Sequence, residues 1–491
     1  MPEFLFQLPR DKSISLQARI CEMLVTAILN GHLPPGSLVP SGRKLAQQLK
    51  VGRNTVVIAY EHLVDEGYLV ARERSGFYVS TDILKGRVFN HSKDLSEQES
   101  QDHWSYHLIH DFNSQRQITK PADWLKFPYP FLYGQYDPGL FPVAEWRECC
   151  RDAASVRAIH SWASDRADRD DEELIEQIHT RMLPRRGVLA KRDEILITIG
   201  AQHALFLAAQ LLIDKHKTVG MEEPGYTDAR NVFNTYTSKV RSLPMDQHGL
   251  TVDSRMQECD IVHVTPSHQF PTGVTMPTER RKQLLNAAKE MNFIVIEDDY
   301  EAELNYSEEP IAALKSMDKD RRVIYIGSLS KTLAPGLRMG YLVGPKAFID
   351  QARILRRLML RHPPANNQFI VAQFLKRGYH DALIRRLHHT LRDRWAVMHE
   401  AISEYFPNAL ANQAFGGSAF WLRLPQDIDT KHLERLAREN GVLIEPGDVF
   451  FANPEQKESF IRLGFSSIPA DRIRTGLAIL SGLIANLENN T

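Results

Sequence analysis

Ile326-Gly-Ser-Leu-Ser-Lys331-Thr-Leu-Ala-Pro-Gly-Leu-Arg338-Met-Gly-Tyr341 runs from an apolar, β-branched stretch into a loop of small residues that carries one lysine and, seven positions on, one arginine. A lysine amine can hold a cofactor aldehyde as a Schiff base, while hydroxyls such as Ser328 and a following guanidinium clamp a phosphate. The stretch has the make-up of a pyridoxal phosphate site; the plain alternative is a solvated loop lysine. A second signature upstream weighs against that alternative. Ile296-Glu-Asp298-Asp-Tyr300 ends another apolar run, where ligands of open α/β sheets collect. A carboxylate there can keep a pyridine nitrogen protonated, and a phenol nearby can bond the ring hydroxyl.

Further pieces surround these two. Thr198-Ile-Gly200-Ala-Gln202-His203 opens a helix after a strand, a place where backbone amides and the helix dipole bind phosphate. Glu223-Pro-Gly-Tyr226 offers an aromatic face, and Thr265-Pro-Ser-His268-Gln269-Phe-Pro-Thr-Gly273 is a turn rich in polar side chains. Short apolar runs at 195–199, 261–264, 293–296 and 323–326 alternate with amphipathic stretches such as 201–213 and 278–291, which predicts an α/β domain on a mostly parallel sheet. Beyond Phe415, apolar runs at 419–424, 442–444 and 459–463 around a helix from Thr430 predict a smaller α+β lobe.

The N-terminal part reads differently. Leu16, Ile20, Leu24 and Ile28 recur at helical spacing before Asn30-Gly31 and Pro34-Pro35-Gly36. Ser41 can cap a second helix carrying Leu45, Ala46 and Leu49, and a third runs from about Arg53 to Asp65 with Val56, Ala59, Tyr60 and Leu63 inward. Residues 68–79 then alternate around a tight glycine turn, as a β-hairpin does. Three helices and a wing could serve DNA or another protein. In a helix-turn-helix the second helix of the motif enters the major groove, so Arg53, Asn54 and Thr55 stand where bases are read, and Arg43, Arg72 and Arg74 where phosphates or the minor groove are met. From about 83 to 126 neither period holds and polar residues dominate, which reads as a linker.

Over 491 residues the formal charge is -1, so any DNA binding must be local rather than a matter of bulk charge. Cys21, Cys149, Cys150 and Cys259 show no metal-binding spacing, which points to reduced thiols, no metal site and a cytoplasmic protein. No apolar run has the length of a membrane span, and no signal peptide is expected.

Val39-Pro-Ser-Gly-Arg-Lys-Leu-Ala46, Gly52-Arg-Asn-Thr-Val56, Glu66-Gly-Tyr-Leu69 and Arg74-Ser-Gly-Phe-Tyr-Val79 closely resemble the winged helix of GntR-type bacterial repressors. Residues from about 127 onward resemble a fold type I aminotransferase, and the whole chain resembles the MocR/GabR branch of the GntR regulators. The resemblance implies a winged helix-turn-helix over 13–82, a linker over 83–126 and an effector domain over 127–491. It makes Lys331 the Schiff base lysine, Asp298 the partner of the pyridine nitrogen, Tyr300 the partner of the phenolate and Tyr226 the residue stacked on the ring. Ala201, Gln202, Ser328 and Arg338 match the phosphate neighbourhood, His268 and Gln269 the turn that approaches the cofactor, and Arg462 the arginine that holds an effector carboxylate.

One position departs from the pattern. Where the GABA-responsive member has an arginine two residues beyond the tyrosine matched by Tyr226, this chain has Asp228. That disfavours GABA and points to an effector with a second ammonium, such as a diamino acid; alternatively Asp228 pairs with Arg230 or caps a helix. The implied function is a pyridoxal phosphate-dependent regulator, a head-to-tail homodimer on operator DNA. An amino acid or amine displaces Lys331 by forming an external aldimine. The alternatives are a working aminotransferase that carries a DNA-binding domain, and a repressor whose cofactor domain is inert scaffold.

Overall fold

Ser15 begins the first helix by accepting a hydrogen bond from the Ala18 amide, and Ile20, Leu24 and Ile28 then fall on the buried side of α1 (Leu16–Leu29). Ser41 caps α2 (Gly42–Leu49) in the same way, through Lys44. Lys50 turns the chain at a φ of 55° before α3 (Arg53–Asp65), which buries Val56, Ala59, Tyr60 and Leu63. The Tyr60 hydroxyl donates to the Pro40 carbonyl (2.7 Å), fixing α3 against the entry to α2. Strands β1 (Leu69–Arg72) and β2 (Gly76–Val79) pair antiparallel in the register Leu69↔Val79 and Arg72↔Gly76. This helix trio with a wing belongs to the first of two units, residues 1–109 and 110–491, in a computed structural model. The residues described are 8–9, 13–73, 75–83, 107–109, 112–132, 134, 137–306, 311–407, 409–411, 416–425, 428–453 and 459–489.

The second unit is built on an eight-stranded sheet. In chain order its strands are β3 (Ile195–Thr198), β4 (Val219–Glu223), β5 (Val240–Asp246), β6 (Gly249–Leu250), β7 (Ile261–Val264), β8 (Ile294–Asp299), β9 (Val323–Ser328) and β10 (Gly340–Val343). Their spatial order is β3-β10-β9-β8-β7-β4-β5-β6. Neighbours from β9 through to β5 are parallel, while β10 runs antiparallel between β9 and β3 and β6 runs antiparallel at the far edge. Helices α4 (Gly200–Leu212) and α5 (Thr227–Tyr236) follow β3 and β4. The C-terminal lobe carries β11 (Ala419–Arg423), β12 (Glu445–Pro446) and β13 (Phe460–Gly464), with β13 in the middle. Arg462 of β13 therefore faces Trp421 on one side and Glu445 on the other.

The end of the stretch read as a linker lies against this second unit. Arg116 donates to the Phe451 carbonyl (2.6 Å), the Asn231 amide donates to the Arg116 carbonyl (2.8 Å), and Ile118 packs on the aromatic cluster of Phe270, Tyr300 and Trp421. Residues this polar have no local period to betray their position, because their partners lie more than a hundred positions away.

One buried ion cluster holds β3 in place. Asp170 accepts from Arg353 (2.7 Å) and from Arg356 (2.5 Å), and Arg356, wholly buried, also donates to the Ile197 carbonyl. Removing one partner of such a cluster leaves an uncompensated charge in the core. Asp170→Asn is expected to destabilise the protein by about 3 kcal/mol, read as a lower midpoint in urea denaturation.

Candidate cofactor site and DNA-binding face

The sheet topology brings the predicted residues together at the carboxyl ends of parallel strands, where ligands of open α/β sheets bind. In the β8–β9 register Ile326 lies opposite Asp298, so the strand that delivers Lys331 ends beside the one that ends in Asp298 and Asp299. Through β10, Gly340 lies opposite Thr198, which sets the loop carrying Arg338 against the start of α4. The result is a cavity of about 120 Å³ lined by Ala201, Gln202, Tyr226, Phe270, Asp298, Tyr300, Ser328, Ser330, Lys331 and Arg338. Eight of the ten residues predicted to bind the cofactor are in that lining.

At one end of the cavity the first turn of α4 presents Gly200, Ala201 and Gln202. Gly200 has a φ of +74°, and a Cβ there would come within 3.0 Å of the Arg338 guanidinium. Gly340 lies so close beneath that a Cβ on it would stand 2.7 Å from the Gly200 carbonyl carbon. Arg338 itself donates to the Ile199 carbonyl (3.3 Å). Backbone amides at a helix start, a guanidinium and the Ser328 and Ser330 hydroxyls are the donor set a phosphate needs.

At the other end sits Asp298, buried, with Oδ1 lacking a hydrogen-bond partner among the described residues. Burial first, and the neighbouring Asp299 second, push its carboxyl up to about 7. Asp299 is held instead by Arg186 (2.9 Å) and the Tyr325 hydroxyl (2.8 Å), which fixes the strand end. Lys331 moves the opposite way, because burial and then the charge of Lys120 push its amine down to about 7. The Tyr300 hydroxyl donates to the His268 carbonyl (2.9 Å), and burial raises the phenol above its usual range. The Tyr226 hydroxyl donates to Gln202 (3.1 Å) and lies 3.4 Å from Asp228, and its ring meets Phe270 edge-on.

His268 and Gln269 lie behind this lining. The His268 ring is buried against Gly416 and Gly417, and neither ring nitrogen has a hydrogen-bond partner among the described residues. Gln269 spends its amide on the Pro224 and Phe270 carbonyls and accepts from Thr272, so it builds the turn. Asp228 does not pair with Arg230, which binds Glu223 (2.6 Å). Burial raises the Asp228 carboxyl, offset by the Tyr226 hydroxyl and Lys120. Arg462 is buried, 4.5 Å above the Phe270 ring, with Nε donating to the Pro271 carbonyl (3.2 Å) and Nη1 to Glu445 (3.3 Å). Phe270, Ser330, Lys120 and Glu445 escaped the sequence reading. Only Ser330, one residue from Lys331, carried a local signal.

In the first unit Arg43, Arg53 and Asn54 are exposed and Thr55 is half-buried at the start of α3. Arg72 is exposed on the wing, with its guanidinium 4.3 Å above the Tyr78 ring. Arg74 lies outside the described residues. These positions fit a helix presented to the major groove with a basic wing beside it.

The buried Asp298 gives a first test. Its folded value lies above the ordinary carboxylate value of 3.8, so its charged form costs stability above pH 7 and that cost fades as pH falls towards 4. Asp298→Asn should therefore stabilise the cofactor-free protein at pH 8, with the gain shrinking below pH 7, read as a higher midpoint in urea denaturation, while cofactor retention in dialysis falls. For the first unit, Arg53→Ala should weaken binding of operator DNA by about 1–3 kcal/mol, measured by fluorescence anisotropy at fixed salt, without lowering the melting temperature.

Residues 134–480 match the family model for aminotransferase class I and II, and residues 16–79 that for bacterial regulatory proteins of the gntR family. The chain is 41% identical over 464 residues to the HTH-type transcriptional regulator TauR of Rhodobacter capsulatus, covering 94% of this chain and 95% of the relative. It is 27% identical over 495 residues to the probable rhizopine catabolism regulatory protein MocR of Rhizobium meliloti, covering 98% and 96%. Among solved structures, an archaeal alanine:glyoxylate aminotransferase superposes with a TM-score of 0.72 at 26% identity, covering 78% of this chain and 99% of that one. Kynurenine aminotransferase of Pyrococcus horikoshii, solved in complex with PMP, gives 0.71 at 28% identity, covering 79% and 99%. The larger unit thus has the fold type I architecture of pyridoxal phosphate-dependent aminotransferases, and the smaller is a DNA-binding winged helix-turn-helix. The chain belongs to the MocR-type branch of the GntR transcriptional regulators, in which that winged helix is joined to an aminotransferase class I and II domain.

Proposed function

We propose that this regulator senses an amino acid or amine at a pyridoxal phosphate site centred on Lys331, and that occupation of the site changes its affinity for operator DNA. The observation that carries the reading is the cavity. A buried carboxylate oxygen on Asp298 without a partner among the described residues, a lysine amine of lowered basicity and a phosphate-shaped donor set converge there, in a chain whose other unit is a winged helix. These residues fit the cofactor. Pyridoxal phosphate supplies an aldehyde that a lysine or an effector amine can occupy, and a ring that draws electrons when its nitrogen is protonated.

In this reading Asp298 would hold a proton at the pyridine nitrogen, through the oxygen that has no partner among the described residues. Arg338, the start of α4, Ser328 and Ser330 bind the phosphate, Tyr226 covers the ring face, and Tyr300 serves the ring hydroxyl. His268 and Gln269 shape the turn beneath it. Lys331, its amine lowered to about 7 by burial, would hold the cofactor aldehyde and can carry a proton on Nζ. Arg462 orients an acid group on the effector, and Asp228 favours an effector with a second ammonium. The DNA-binding domain spans 13–82 and the effector domain 127–491, with 83–126 between them. The assembly is a head-to-tail homodimer working in the cytoplasm. An effector can act only through a difference in affinity between two conformations, and DNA binding must feel the same difference in return.

One observation favours a second reading, a catalytically active aminotransferase: a lysine amine near neutrality is suited to moving protons as well as to releasing a ligand. The two separate in one experiment. Wild-type protein should show the visible absorbance of a lysine-bound aldehyde, which Lys331→Ala abolishes. Titration with a panel of amino acids, diaminobutyrate and GABA included, should shift that absorbance in step with operator binding. Steady consumption of a keto acid with indifferent DNA binding would establish the enzyme instead. Absence of the absorbance would leave the domain a scaffold.

A further inference from the structure

A second cavity, of about 390 Å³, shares Ser328 with the cofactor cavity but none of its other described lining residues. Sites for small molecules span roughly 300–1,000 Å³, so it is large enough to hold one. Helix α6 (Tyr379–Tyr405) forms one wall, sending Ile384, His388 and Arg392 to it at four-residue spacing. Met182, Ile311 and the Tyr306 and Tyr341 rings make much of the rest apolar. Gly327 leaves the space that the Tyr341 ring needs, since a Cβ there would stand 2.2 Å from it.

The polar groups around this cavity are unevenly satisfied. Arg185 is paired with Asp381 (2.5 Å), Arg186 with Asp299 (2.9 Å), and the His388 ring donates to the Glu303 carbonyl (2.6 Å). Arg392 is exposed and donates to the Tyr306 carbonyl (2.7 Å). Glu303 differs from all of these. Its side chain is only 8% exposed, Oε2 lies 3.1 Å from His380 Nε2, and Oε1 has no hydrogen-bond partner among the described residues. Tyr341 feels that carboxylate, because burial and then the charge of Glu303 push its phenol up. A buried carboxylate oxygen calls for a donor. A water molecule would supply one but leave the apolar walls wet, whereas an ammonium with an apolar arm satisfies both, and a cation is also favoured beside aromatic rings.

We propose that this cavity is a second ligand site, separate from the cofactor site, that takes an organic ammonium whose N–H donates to Glu303 Oε1 and whose apolar arm lies along Met182, Ile311 and Ile384. The binding involves no aldehyde, so it stands whether or not Lys331 bears the cofactor. The site adjoins the cofactor cavity at two points. An occupant meets Ser328, and the His380 ring beside Glu303 lies 3.4 Å from the Thr332 hydroxyl, next along the chain from Lys331.

The probe is N,N-dimethylbutylamine, whose protonated nitrogen carries a single N–H and which, as a tertiary amine, cannot condense with an aldehyde. Its neutral and anionic counterparts are n-hexanol and hexanoate. Calorimetric titration of the full-length protein should show saturable binding of the amine, with both counterparts weaker by about tenfold or more, the worth of a charged hydrogen bond. Glu303→Gln should weaken the amine by a similar factor, and Ile384→Phe, which fills the cavity from α6, should do so with the carboxylate intact. Melting curves show whether each variant is folded, and a Glu303→Gln protein that is not leaves Ile384→Phe to decide. Absence of saturable binding, equal binding of hexanol or tighter binding of hexanoate overturns the inference. So does a folded Glu303→Gln or Ile384→Phe protein that binds the amine as wild type does, or a response that disappears in Asp298→Asn, which would put the amine in the cofactor cavity.

Discussion

Keeping a carboxylate and a lysine amine out of water, side by side, is the constraint around which the larger unit is organised. Burial penalises the charged form of each, and both Asp298 and Lys331 end near neutrality. Neither would persist there without scaffolding. The register of β8 on β9 sets the two strand ends together, the Arg186–Asp299–Tyr325 cluster pins that edge, and Asp170 holds Arg353 and Arg356 against β3. Such ion clusters contribute little net stability. They matter because they define where each strand stops.

The same logic separates the halves of the site. The end of the cavity at α4 is made mainly from backbone and small residues, where Gly200 and Gly340 leave room for a guanidinium and for the amides of a helix start. Beside Lys331, in contrast, stand side chains from distant segments: Lys120 before the sheet, and Glu445 and Arg462 on adjacent strands of the C-terminal lobe. A cofactor common to a family can be held by the first kind of architecture. The second kind can change one residue at a time without disturbing the sheet.

The winged helix is a separate hydrophobic core closed by Tyr60, whose ring meets Phe77 of the wing and whose hydroxyl meets Pro40. Arg53 and Asn54 are exposed polar side chains at the start of α3, so they contribute little to folding. That division explains why its motif wording could be read directly. Turns, caps and inward residues fall within a few positions of one another, and the outward residues lie between them.

The chain by itself determined what depends on near neighbours: the helix trio and hairpin, the alternation of strand and helix, and the motifs around Lys331, Asp298, Tyr226 and Gly200. Strand-end chemistry is local, and eight of the ten cofactor residues read from those motifs line one cavity. The polar stretch at 112–126 was opaque because its anchors are on Phe451, Asp448 and Asn231, and nothing in its own composition names them. Phe270 read as part of a turn, and only the approach of Arg462 and Tyr226 makes it a wall of the site. Asp228 invited a pairing with Arg230 two residues away, but helix geometry turned the two apart and gave Arg230 to Glu223. Only the tertiary structure decided that Lys120 and Lys331 point at one spot, because that depends on how separate segments close over the same strand ends.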